Sequence, residues 1–346
     1  MVRIYCKNTG TFKEFPEGTT LLDMVDQFEF DKPYQIISAK VNNVSEGLKF
    51  RVYNNRDVEF LDYRSYSGRN VYSRSICFLL YKAARDIFPD CKLVIRRPIS
   101  KGYFCKLEKG DGSPVSESEL GLLKERMEAI VSKDIPFRRH DVQIEEAISL
   151  FRSLGHLDKV SLLETCGEVY VTYYTLGSTA DYFYDVLVPS TGYLRIWDIS
   201  PFNGGIPLRV PDRHNPEQLA PFRDQPKTLD VFEETLRWNR IMGLDNAGDV
   251  NRACASGKAS DLIQIAEALQ EKKIVQIAEE IEERYNSGSG ARIVLITGPT
   301  SSGKSTFCKR LSVQLMACGL RPVSFSTDDY FVNRLDTPKL PDGNYD

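Results

Sequence analysis

The residues best placed to do chemistry lie toward the C-terminal end of the chain. Gly298-Pro299-Thr300-Ser301-Ser302-Gly303-Lys304-Ser305-Thr306 contains the pattern G-x-x-x-x-G-K-[ST]. Glycines let the backbone curl so that successive amides point at phosphate oxygens, and a helix starting near Lys304 adds the positive end of its dipole. In such a loop Lys304 reaches the β- and γ-phosphates and the Ser305 hydroxyl ligates Mg²⁺. At ordinary composition the octet arises by chance in a chain of this length on the order of one time in a hundred. Its context also fits, with an apolar run before it and a helical run after it. The pattern points to ATP and Mg²⁺.

A second segment, Ser326-Thr327-Asp328-Asp329-Tyr330-Phe331, follows the next apolar run. In open α/β sheets ligands sit at the C-terminal edge of the strands. A carboxylate there can take the proton of an attacking hydroxyl and help organise Mg²⁺. Alternatively, two adjacent acids after a strand simply cap a turn. Beside a phosphate loop, catalysis by Asp328 is the better reading.

Together, 298–306 and 326–331 resemble the uridine kinase and phosphoribulokinase family of P-loop kinases, whose members carry S-x-D-x-[FY]-[FY] after the second strand. The resemblance implies that Asp328 is the catalytic base and that Tyr330 and Phe331 line the acceptor pocket beside Asp329. In nucleoside kinases of this family the acceptor is the ribose 5′-hydroxyl, so the implied substrate is uridine or cytidine.

The elements that must position these groups read as a βαβ start: a strand at Arg292–Thr297, a helix to Ala317 ended by Gly319, and a strand at Pro322–Thr327. Asn286–Ala291, small and uncharged, reads as a linker. Before it, 226–286 is a helical connector, with Ser260 as an N-cap and Ile274, Ile277, Ala278 and Ile281 as a stripe. Strands are expected at Val2–Cys6, Lys13–Phe15, Ile36–Val41, Val58–Leu61, Val169–Tyr174 and Tyr193–Ile199. Helices are expected from Leu21, capped by Thr19 or Thr20, over Ser75–Ile87, and after the capping box Ser116-Glu117-Ser118-Glu119.

Residues 1–62 resemble a TGS domain, the ubiquitin-like module of threonyl-tRNA synthetases and stringent-response synthetases, through Phe15-Pro16-Glu17-Gly18-Thr19-Thr20. Such modules bind RNA or dock; the alternative is an α+β domain used only for packing. Residues 63–225 resemble the second additional domain of threonyl-tRNA synthetase, which hydrolyses mischarged tRNA. The likeness rests on Phe88-Pro-Asp-Cys-Lys-Leu, Gly102-Tyr-Phe, Glu145-Glu-Ala-Ile and Val188-Pro-Ser-Thr-Gly192. The chemistry of that family is missing. Its H-x-x-x-H positions hold Arg74 and Phe78, and its D-x-C-x-x-x-H positions hold Asp181, Phe183 and Leu187. Without imidazole or thiolate there is no metal set and no acid–base pair, so no zinc and no editing are expected. The apolar replacements imply a filled pocket, and the domain reads as a catalytically dead scaffold that senses a ligand or RNA.

The expected fold class is therefore multidomain, α+β and α/β. A ubiquitin-like TGS module at 1–62 precedes an editing-like α+β domain at 63–225, the helical connector 226–286, and the start of a P-loop parallel-sheet kinase domain at 287–346. This order resembles a bacterial fused nucleoside kinase family. A kinase domain of this type needs further strands, at roughly 100–200 residues per domain. The chain thus reads as part of a longer protein, inactive as it stands, with an unpaired sheet edge.

Composition narrows the alternatives. A charged fraction of 27% and hydrophobic fraction of 42% exclude a disordered or collagen-like chain. A net charge of −3 argues against coating nucleic acid through bulk charge, though a local basic groove stays possible. No apolar run approaches the roughly 20 residues needed to span a bilayer. Eight scattered cysteines without a C-x-x-C pair, and three distant histidines, fit a reducing cytoplasm. Two functions stay open: an ATP-dependent nucleoside kinase, and a nucleotide-gated RNA- or tRNA-binding protein working through residues 1–225.

Overall fold

Alternation along β1 (Val2–Cys6) buries Val2, Ile4 and Cys6 and leaves Arg3 in solvent, the period-2 pattern of a half-covered strand. In the computed structural model, which describes residues 1–287, 290–333 and 335–341, β1 pairs antiparallel with β2 (Thr11–Phe15). The expected linker residues Gly288 and Ser289, and Gly343–Asp346, lie outside the described residues. After β3 (Thr19–Thr20), α1 (Leu21–Val25) opens on a capping box: the Thr20 hydroxyl accepts the Asp23 amide, and Asp23 returns the contact to the Thr20 amide. Four more strands follow: β4 (Ser38–Val41), β5 (Val44–Glu46), β6 (Arg51–Val52) and β7 (Arg56–Leu61). The mixed sheet runs β2-β1-β7-β4-β5, with β1 and β7 parallel. The strand expected from Ile36 starts at Ser38; Ile37 still donates to the Leu61 carbonyl, at 3.0 Å.

α2 (Tyr66–Ile87) begins nine residues before the expected Ser75, because Ser65 caps it by accepting the Gly68 amide at 3.0 Å. Next come β8 (Lys92–Ile99), β9 (Gly102–Glu108) and α3 (Glu117–Ser132), the last opened by the Ser116/Glu119 capping box. β10 (Phe137–Gln143), α4 (Ile144–Ser153), α5 (Leu157–Leu163), β11 (Tyr170–Leu176) and β12 (Thr179–Tyr182) follow, and β10-β11-β12 form an antiparallel sheet. The strand expected over Tyr193–Ile199 is largely absent. Thr191–Tyr193 is a 3₁₀ turn, and only β13 (Asp198–Ile199) joins β14 (Ile206–Arg209) in the sheet β13-β14-β9-β8. The Leu194 carbonyl there accepts from the Trp197 indole instead of a neighbouring strand. The largest core packs α2 and α3 against these strands through Phe78, Leu79, Leu80, Leu123 and Met127.

The chain from 226 onward carries α6 (Pro226–Met242), α7 (Ala247–Ala255), α8 (Ala259–Asn286) and α9 (Lys304–Ala317). α8 starts ahead of the expected cap: Ser260 lies inside its first turn and no side chain caps it. Its stripe of Ile274, Ile277, Ala278 and Ile281 packs on Leu311 and Leu315 of α9. Past α9, Gly319 has φ +79°; its amide bonds to Met316 and that of Leu320 to Leu315, a Schellman end.

The expected strands at 292–297 and 322–327 do not form. A parallel ladder needs neighbouring strands and cover on both faces. Neither segment finds a ladder partner among the described residues, and Ile293, Leu295, Val323 and Phe325 stay exposed. The chain divides into two compact units, Met1–Arg237 with Asp245–Arg252, and Trp238–Leu244 with Ala253–Asp346. Among the described residues no helix is long and apolar enough to cross a membrane.

Candidate functional site

In the second unit, the loop 298–303 leads into α9 through a left-handed residue. Gly303 sits at φ +84° and Ser301 at φ +61°, a conformation that glycine adopts without strain and serine tolerates less well. A Cβ on Gly298 would come 2.8 Å from the Ser302 hydroxyl, which would have to turn away. The Phe307 amide is the first to bond within the helix, to the Gly303 carbonyl at 2.9 Å, and no side chain caps the N-terminus. The helix therefore leaves the amides of Lys304, Ser305 and Thr306 unused, next to the positive end of its dipole. The Lys304 ammonium donates to the Pro299 carbonyl at 2.8 Å and so lies across the loop. Pro299, Thr300, Ser301, Ser302, Ser305 and Thr306 are exposed. Glu271 of α8 anchors the helix by pairing with Arg310 at 2.5 Å and accepting from Gln314 at 2.7 Å. The donor set is one that fits a phosphate chain, with the Ser305 hydroxyl available to a divalent cation.

The Asp328 segment is a 3₁₀ turn over Thr327–Tyr330. Its cap is the Ser326 hydroxyl, which accepts the Asp328 amide at 3.3 Å. The acids are therefore not spent on capping, and neither the Asp328 nor the Asp329 carboxylate bonds to a described residue. Ser324 touches Cys308 at 3.5 Å and Ser312 at 3.4 Å, which runs the segment alongside α9. Tyr330 and Phe331 are about three-quarters exposed. No hydrogen bond or ion pair among the described residues joins Asp328 to the loop 298–306.

In the first unit Phe78 and Leu187, with Phe183 against them, lie in the largest core. Phe78 is fully buried, its ring 5.1 Å from Phe183 and 5.8 Å from Phe137, and Phe183 meets Tyr174 at 6.2 Å. Leu187 joins the same cluster. Arg74 turns to Asp185 at 2.7 Å and to the Val186 carbonyl, while Asp181 is held by Lys159 at 2.5 Å. Lys159 and Asp185 carry no local signal in the sequence, because their partners lie 22 and 111 residues away across the fold. Burial pushes the neighbouring Cys77 thiol up to about 12, so it supplies no thiolate. Among the described residues no three His, Cys, Asp or Glu side chains converge on a metal position.

No protein-family model matches the chain. It is similar to threonine–tRNA ligases. That of Desulforamulus reducens is 29% identical over 196 residues, covering 56% of this chain and 30% of the relative. The enzyme of Azobacteroides pseudotrichonymphae is 23% identical over 195 residues (56% and 30%), and that of Carboxydothermus hydrogenoformans 29% over 196 residues (54% and 29%). The chain thus spans under a third of the length of these relatives. The match falls on the TGS-like and editing-like region, and the chain therefore contains a threonyl-tRNA-synthetase-like region.

Proposed function

We propose that this protein binds tRNA or a tRNA-like RNA through residues 1–225 without editing it, and that ATP with Mg²⁺ on the loop 298–306 gates that binding. One observation carries the reading. In the region similar to threonine–tRNA ligases Phe78 packs on Phe183, at positions that the resemblance to the editing domain would give to a histidine and a cysteine. Gly298–Thr306 would hold the phosphates through backbone amides, with Lys304 opposing their charge and Ser305 ligating the cation, which neutralises charge on the phosphates when bound. The test is tRNA affinity of the whole protein across a salt series, with and without ATP–Mg²⁺, beside Lys304→Ala. Affinity falls linearly on a log–log salt plot and shifts with ATP, and the shift disappears in Lys304→Ala. No affinity at low salt refutes the RNA reading, and identical curves with and without ATP refute the gating.

A second reading, phosphorylation of the 5′-hydroxyl of uridine or cytidine, is favoured by the unspent carboxylate of Asp328 beyond the loop. Asp328 would accept the hydroxyl proton as that oxygen bonds to the γ-phosphorus and the bond to the β,γ-bridging oxygen breaks, releasing ADP. Asp329, Tyr330 and Phe331 would hold the nucleoside. ATP-dependent turnover of uridine or cytidine that is lost in Asp328→Ala while ATP binding persists supports this reading. ATP binding without turnover on any nucleoside removes it.

A further inference from the structure

A cavity of about 560 Å³ opens in the first unit; none of its lining residues belongs to the loop 298–306, and Phe78, Phe183 and Leu187 are not among them. At roughly 30 Å³ per water it has room for a small organic molecule, and its size falls within the range of ligand sites. Its floor is apolar: Val25, Ile36, Ile37 and Leu48 are buried there. Its walls are aromatic. Tyr63 and Tyr72 meet edge to face at 5.1 Å. Tyr63 donates to the Pro211 carbonyl at 3.0 Å and Tyr72 to the Ile196 carbonyl at 2.9 Å, which locks both rings and consumes their hydroxyls. Tyr193 packs against the cores of both the N-terminal sheet and the α2 layer. The walls are therefore rigid before any ligand arrives.

The remaining polar groups define what would fit. The hydroxyls of Tyr34 and Tyr193 and the amide of Gln35 line the cavity without a hydrogen bond to a described residue. The lining charges cancel, Lys32 and Arg195 against Asp26 and Glu217, with Lys32 already paired to Asp26 at 3.7 Å. A dianionic phosphate gains no net field from such a lining. An aliphatic ligand would strip water from the free hydroxyls and amide without replacing it. A planar ring bearing adjacent donors and acceptors meets both demands, stacking on tyrosine and pairing with an amide that offers one of each. We infer that this cavity is a binding site for an uncharged nucleoside, separate from the phosphate loop and independent of either function proposed above.

Isothermal titration of the whole protein with adenosine, guanosine, uridine and cytidine tests the site, with their 5′-monophosphates and free amino acids as comparisons. At least one nucleoside saturates the protein. It binds about tenfold more weakly as its monophosphate and to Gln35→Leu. Gln35 is exposed, so this variant keeps its fold. Lys304→Ala and Asp328→Ala bind the nucleoside as the unaltered protein does. Three results overturn the proposal: no saturable nucleoside binding, undiminished binding to Gln35→Leu, or binding lost in Lys304→Ala or Asp328→Ala, which would move the nucleoside to the second unit.

Discussion

Replacing Phe78 by alanine tests whether the editing-like position is packed or open. The ring is completely buried, with Phe183 and Phe137 at 5.1 and 5.8 Å. A buried phenylalanine removes about 150 Å² or more from water. At about 25 cal/mol per Å² that is ~4 kcal/mol, and measured Phe→Ala changes in cores cost about 3–5 kcal/mol once the cavity is included. A typical domain is stable by about 5–15 kcal/mol, so this one change takes a large share. For a unit of this size, about 2–4 °C per kcal/mol turns ~4 kcal/mol into a fall in Tm of about 8–16 °C. The chain has two tryptophans, and Trp197 packs against the core that contains Phe78. In a Trp238→Phe background, its fluorescence reports thermal unfolding of the first unit alone. Val169→Ala, at an exposed side chain, serves as the control. A fall no larger than the control's would refute the reasoning: the ring would then be loosely held and the position available to catalytic groups.

Three further outcomes follow from particular contacts. In Gly102→Ala the new Cβ would stand 2.1 Å from the Leu208 carbonyl oxygen, between β9 and β14; a loss of about 2–3 kcal/mol is expected in urea unfolding, and a neutral result would show that the strands separate freely. The Lys109 ammonium and the Ser116 amide and hydroxyl hold Glu119 at about 2, below its ordinary 4.5. A lowered folded pKa gives stability that is complete above pH 4.5 and lost as pH falls toward 2, so Glu119→Gln should flatten the acid limb of the stability curve in that window, and an unaltered limb counts against the pairing. Burial pushes Cys77 up to about 12 and Cys105 well above the usual thiol range, whereas Cys254 is exposed. Alkylation of the native protein at pH 8, read by peptide mass, should label Cys254 and spare Cys77 and Cys105 until denaturant is added; early labelling of Cys77 would mean that its layer opens.

Local rules carried far along this chain. The Thr20–Asp23 and Ser116–Glu119 caps, the β1 alternation, the start of α9 at Lys304 and its Gly319 end are each decided within a few residues, where side-chain hydrogen bonds and backbone sterics act. Boundaries slipped where a second local signal competed. Ser65 caps the Gly68 amide and starts α2 early, and the Leu194–Trp197 turn displaces most of the strand expected over Tyr193–Ile199. The strands at 292–297 and 322–327 failed for a longer-range reason. Apolar pattern marks a segment as able to pair, but pairing requires a neighbour.

The candidate sites divide along the same line. The loop 298–306 is contiguous, so the order of its residues alone determined that the amides of Lys304–Thr306 would sit free beside a lysine and a serine. That no histidine stands at Arg74, Phe78 or Leu187 was equally legible, because a side chain's identity is the same in any fold. Only the tertiary structure decided what these side chains meet. Phe78 and Phe183 are brought ring to ring, Asp181 is handed to Lys159, and Tyr34, Tyr63, Tyr72 and Tyr193 gather around one cavity. Those groups are scattered along the sequence. Their meeting depends on how sheets and helices pack to bury apolar area, a sum over the whole unit that no short stretch of residues contains.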